Sequence, residues 1–130
     1  MELLLSVDVS LDESTVVNDG TTEVRFLRFH GSGSSRFFHG TILPGGVDTQ
    51  FCTDDKLTLS ARSILEGTDY KGENCRIFIE NNGCGTAAGL RTKPKIITDS
   101  DALKAVFDGD LYGEVGGENG KVIIKIYKNR

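Results

Sequence analysis

The stretch that decides the fold is "KLTLSARSILEGTDYKGENCRIFIENN", residues 56–82. Leu57, Leu59, Ala61, Ser63 and Leu65 alternate with Thr58, Ser60, Arg62, Ile64 and Glu66. Period-two alternation places one set on each side of a strand. "GTDYKGEN" supplies turn residues, and the chain then alternates again. Cys75, Ile77, Ile79 and Asn81 stand opposite Arg76, Phe78, Glu80 and Asn82. Two alternating runs joined by a short polar connection predict a β-hairpin.

The same signals recur on both sides. Leu3, Leu5, Val7 and Val9 share a face, and Asp19-Gly20 suits a hairpin turn. The run Val24 to Phe29 carries apolar groups on both faces, which predicts cover on both sides. "GSGSS" (31–35) reads as a flexible turn, and "RFFHGTIL" as a strand stopped by Pro44-Gly45-Gly46. "GCGTAAGLRTKP" (83–94) reads as a long glycine-rich connection, with "KIIT" a short strand after it. Ser100 to Gly109 gives the one helical signal, with Ser100 as cap and Leu103, Val106 and Phe107 on one side. "KVIIKIYK" closes the chain after a turn at Glu118-Asn119-Gly120. Sixteen glycines against two prolines suit many tight turns. The pattern predicts an all-β chain, one domain over residues 1–130. About eight strands and one short helix form a small antiparallel β-barrel, because closure removes exposed edges. A two-sheet sandwich is the alternative.

Composition narrows the function classes. A net charge of −4 is the wrong sign for a nucleic-acid surface. No apolar run approaches the ~20 residues of a membrane span. "MELLLSVDVS" lacks the basic region and longer apolar core of a signal peptide, so a cytoplasmic protein without a membrane role is expected. Cys52, Cys75 and Cys84 are odd in number and form no C-x-x-C pair, which predicts reduced thiols and no metal. Cys52 and Cys75 read as core residues and Cys84 as an exposed one. His30 and His39 lack metal-binding spacing. The glycine loops precede no helix, so no dinucleotide or phosphate fingerprint is present, and no cofactor is expected.

Two charged residues remain as site candidates. Arg62 sits in the middle of the clearest strand, on the face of Ser60, Ile64 and Glu66. If that face is interior, the guanidinium needs an anion; if it is exterior, its stem covers apolar surface. Asp48 follows the Gly45-Gly46 turn, where it either bonds the turn backbone or stands at the barrel rim.

The ordered pieces "GTILPGGVD" (40–48), "LSARS" (59–63), "IFIENNG" (77–83) and "RTKP" (91–94) resemble the bacterial and fungal family catalogued as domain of unknown function 3237. The resemblance covers about residues 20 to 130. It implies a β-barrel, lipocalin-like in appearance, and no established general activity. Some members of that family sit in natural-product pathways. By this resemblance Asp48, Arg62 and Asn81 are pocket candidates. Ser60, beside Arg62, and Arg91 of the Arg-Thr-x-Pro element complete the expected ligand-binding set. The family's strand aspartate and tyrosine are Ser60 and Ser63 here, which weakens any acid–base mechanism that used them and leaves Glu66 or Glu80 as substitute acids. Three functions compete. The first is a barrel binding a small organic ligand. The second is a cofactor-independent enzyme tailoring a small molecule by proton transfer, with Asp48 as base and Arg62 holding an oxyanion. The third is a structural module with a filled barrel. Apolar groups on both faces of the second strand predict a homodimer.

Overall fold

A computed structural model of the chain describes residues 2–86, 89–118 and 120–129. Nine strands and one helix follow in the order β1 (Glu2–Asn18), β2 (Thr22–Ser34), β3 (Phe38–Ile42), β4 (Val47–Thr53), β5 (Lys56–Asp69), β6 (Asn74–Thr86), β7 (Gly89–Thr98), α1 (Asp101–Val106), β8 (Leu111–Glu118) and β9 (Lys121–Lys128). All pairings are antiparallel. The sheet runs β1-β9-β8-β7-β6-β5 and returns through β3 and β4 to β2, which pairs with β1 and closes the ring. The barrel expected from the alternation is therefore present, and the sandwich is not.

The ninth strand arises from the opening of the motif at Pro44. β3 pairs Phe38–Ile42 with Leu65–Asp69, and β4 pairs Val47–Thr53 with Lys56–Arg62. Both also pair with β2. Thus β3 and β4 share one stave, end to end, and the Pro44-Gly45-Gly46 turn is the joint between them. Gly45 has φ 110°, a conformation that glycine adopts without strain.

Two expected loops are strands. β2 runs through "GSGS" because Gly33 lies against the core, where a Cβ would come within 2.7 Å of Leu65 Cδ2. The turn falls later, where Ser35 N–H donates to Phe38 O. Likewise β6 extends to Thr86 and β7 begins at Gly89, so residues 83–94 are mostly hairpin strand rather than a long connection. In both cases glycine marks close backbone approach, not flexibility. β8 ends at Glu118 and β9 begins at Lys121; of the expected turn at Glu118-Asn119-Gly120, Asn119 lies outside the described residues.

One end of the barrel is plugged. Leu5, Phe38, Leu65, Ile77, Leu103 and Ile126 are at most 1% exposed. The helix supplies Leu103 and Phe107 to this core. Ser100 fixes it there: its Oγ accepts from Leu103 N–H and donates to Asp69 Oδ2 at 2.7 Å. Asp69 Oδ1 accepts from the Lys71 and Glu73 amides, so one carboxylate ties the β5–β6 turn to the helix. Cys75 joins the core; Cys52 is half-buried and Cys84 exposed, and all three are free thiols.

Toward the other end burial is less complete. Along β5 the inward positions change from fully buried at Leu65 to half-buried at Ala61, Leu59 and Leu57. Val115, Val122 and Ile124 are half-buried in the same way. The outer face of β2 is not covered as expected, since Phe26 is 44% exposed beside Phe51 at 49%. No helix among the described residues is long and apolar enough to cross a membrane.

Candidate functional site

Strand register builds a polar row where the fully buried core gives way to half-buried inner positions. Leu27, Asp48, Ala61, Asn81 and Pro94 are successive cross-strand partners from β2 to β7, so their side chains share the inner face. The next inward row toward the mouth is Arg25, Gln50, Leu59, Gly83, Thr92 and Gly113. Asp48 and Asn81 are two strands apart, about 10 Å at Cα for ordinary strand spacing. Ala61 between them is the smallest side chain of the row and packs against the core. Thr92 reaches toward β8, where a Cβ on Gly113 would lie 2.2 Å from Thr92 Oγ1 and 3.4 Å from Asn81 Oδ1. The two polar side chains therefore meet over a glycine that makes room for them.

These groups are unusual in lacking partners. Asn81 is 2% exposed and Thr92 3% exposed. Neither the Asn81 amide nitrogen and oxygen nor Thr92 Oγ1 has a hydrogen-bond partner among the described residues. Asp48 Oδ2 accepts from Gln50 Nε2 at 2.8 Å, whereas its buried Oδ1 accepts nothing. Most buried polar atoms in native proteins are paired, and each exception costs about 1–3 kcal/mol. Four such atoms share the inner wall, and Ser60 Oγ on the outer face is a fifth.

Burial holds the Asp48 carboxyl above the ordinary aspartate range, and the Gln50 hydrogen bond offsets this only in part. Arg25, in the next inward row, is engaged by Glu23. A raised folded-state pKa means that folding favours the protonated acid. Stability is then fully present below the unfolded-state pKa of ~3.9 and declines as pH rises through the folded-state value. Asp48→Asn removes that decline. We expect it to stabilise the protein at pH 7 by about 0.5–1 kcal/mol, a figure reduced for screening by water at the mouth. The gain should vanish below about pH 4. Urea denaturation at the two pH values measures it, and an equal effect at both would contradict the assignment.

The sequence candidates separate cleanly. Asp48 and Asn81 face the lumen. Arg62 does not: it lies on the outer face of β5, exposed, with Nε donating to Glu80 Oε2 at 3.0 Å. An arginine between inward Ala61 and Ser63 must point outward, so the expected Asp48–Arg62 pair does not exist. Ser60 and Arg91 are also on the outer face. The substitute acids are outside as well, with Glu66 bonded to Arg76 at 2.8 Å and Glu80 to Arg62. Gln50 and Thr92 went unnoticed in the sequence. Thr92 had a signal in its parity with Pro94 and Ile96, but only if β7 starts before Pro94. A groove of about 1250 Å³ runs along β6, β7 and β8 and reaches Gly83, Thr92 and Gly113. It follows the weakest seam of the ring, where the β7–β8 ladder is the single pair Thr92–Gly113.

No family model matches the chain. It is 35% identical over 82 residues to a UPF0311 protein from Clostridium acetobutylicum, a match spanning 62% of this chain and 42% of that relative. The chain thus spans less than half of the curated relative it matches. A crystal structure of a protein with unknown function from Clostridium acetobutylicum superposes with a TM-score of 0.83 at 27% identity, covering 99% of this chain and 98% of that one. A β-barrel-like protein from Acinetobacter baumannii gives 0.74 at 16% identity, over 97% and 92% of the two chains. An enzyme from Penicillium herquei gives 0.66 at 14% identity, again over 97% and 92%. The chain is similar to an uncharacterised family, and its barrel is shared with proteins that include an enzyme.

Proposed function

We propose that this protein is a small-molecule-binding β-barrel of the kind that its motifs resemble in domain of unknown function 3237. The observation that carries the reading is the set of unpartnered polar atoms on Asp48, Asn81 and Thr92, buried on the inner face of the barrel, with a groove that reaches Thr92. Binding sites place a few polar groups among apolar walls. Here Leu57, Leu59, Val115, Val122 and Ile124 are half-buried apolar residues of the inner face, with Val122 and Ile124 packed against the core.

The test is an uncharged, environment-sensitive apolar dye such as Nile red. Its fluorescence should rise on binding, and Ala61→Phe, which places a large ring between Asp48 and Asn81, should abolish the rise while circular dichroism stays unchanged. Equal binding by the folded Ala61→Phe variant would contradict a lumen site.

Asp48 supports a second reading. A half-buried carboxyl with a raised pKa and a free oxygen is suited to move a proton to or from a bound molecule. Turnover by such a base needs an acidic proton within hydrogen-bond reach of Oδ1. The oxyanion role once open to Arg62 falls instead to Asn81 Nδ2 and the Thr92 hydroxyl.

A further inference from the structure

We infer that the outer face of β5, β6 and β7 is a two-fold interface between two copies of this chain, with the axis running across the strands along Ile64, Phe78 and Ile97. The inference is independent of the binding reading above.

Register sets three rows on that face. Ile64, Phe78 and Ile97 are successive cross-strand partners, and their outward side chains form one apolar stripe. Ile64 is 43% exposed and Ile97 57% exposed, with Phe78 half-buried between them. On one side of the stripe stand Glu66, Arg76 and Asp99. Glu66 is the cross-strand partner of Arg76 and bonds it at 2.8 Å, and the Asp99 carboxylate accepts from the Arg76 N–H. On the other side stand Arg62, Glu80 and Lys95, again cross-strand partners, with Arg62 bonded to Glu80 at 3.0 Å. The signs run minus, plus, minus along one edge and plus, minus, plus along the other.

That pattern selects both the occupant and the axis. When two such faces meet about an axis along the stripe, each residue on one edge faces the opposite edge of the same strand. Glu66 then meets the partner's Arg62, Arg76 the partner's Glu80 and Asp99 the partner's Lys95, so every contact joins opposite charges. Along the axis itself the apolar residues meet their own counterparts. An axis along β6 would instead set Arg76 against the partner's Arg76, Glu66 against the partner's Asp99 and Arg62 against the partner's Lys95, all like charges. A wholly acidic or wholly basic partner would meet its own sign in both edges. Self-complementarity of this kind is what an isologous interface requires.

The other exposed apolar patch, Val17, Phe26 and Phe51, has no such frame, since Phe26 lies in register between Thr15 and Thr49. The self-association expected from β2 therefore falls to β5, β6 and β7. Three strands offer less than the ~20–30 residues a side of a standard interface, so the dimer is weak, with a dissociation constant of about 1–100 μM.

Sedimentation velocity of the full chain, from well below to well above that range, should show a monomer passing to a dimer. Ile97→Ser, which alters the stripe in both copies at once, should weaken the dimer about ten-fold or more. Phe51→Ser, on the other patch, should leave it unchanged. Arg76→Glu and Glu80→Arg should each be monomeric alone, because like charges then face one another twice. An equimolar mixture of the two should recover association, because opposite charges are restored at both contacts. Both residues lie in surface ion pairs of small worth to the fold, so circular dichroism should be unchanged in each variant. A chain that stays monomeric at every concentration would overturn the inference and leave the stripe to a different protein. An association lost in Phe51→Ser but kept in Ile97→Ser, or folded charge variants that fail to associate when mixed, would also overturn it.

Discussion

Asn81→Leu should raise the stability of the protein by about 1–3 kcal/mol and at the same time remove ligand binding. The side chain is 2% exposed, and both its amide atoms lack partners. Leucine has the same branching and number of heavy atoms, so it removes two orphaned polar atoms with little change of shape. A paired buried asparagine would behave oppositely, because its loss would strand its partners. The urea midpoint of the variant therefore reports whether Asn81 serves stability or a ligand. A large destabilisation would mean that Asn81 is a structural residue whose partner escaped notice.

Gly67→Ala should destabilise the barrel by about 3 kcal/mol, near the upper end of the usual range for forced overpacking. Gly67 of β5 pairs with Gly40 of β3. A Cβ at Gly67 would lie 1.9 Å from His39 O and 2.5 Å from Gly40 Cα. Both obstacles are backbone, so no rotamer change relieves them and β3 must lift from β5. Since β3 makes one half of the divided stave, its separation opens the ring beside the plugged core. Gly72→Ala has nothing within 4 Å of its Cβ, but Gly72 has φ 82°. It should show only the smaller effect of a strained turn, about 1 kcal/mol. Thermal or urea unfolding of the two variants distinguishes crowding from backbone strain, and equal losses would contradict the crowding argument.

The fold was legible because period-two alternation is local. The β5–β6 hairpin, the Asp19-Gly20 turn and the Ser100 cap each follow from residues within a few positions of one another. Glycine misled the reading at 31–35 and 83–94, where its purpose is to let two strands approach. That purpose depends on a neighbour such as Leu65 or Arg91, distant in the chain or across the hairpin. Asp48 and Asn81 were singled out by the family resemblance, and the structure places both on the inner face. Arg62 was misplaced because alternation fixes which residues share a face but not which face is inside. Ala61 and Leu65 answer that question in the structure, and both oppose Arg62. Thr92 depended on β7 beginning before Pro94, which no local signal announced.

A high-resolution crystal structure of the protein purified directly from cells, without added ligand, tests the central claim most directly. The account predicts a bound molecule, or ordered water in its place, bridging Asp48 Oδ1, the Asn81 amide and Thr92 Oγ1 on the inner face of the barrel. Those same atoms bonded to one another or to other side chains of the barrel would contradict it.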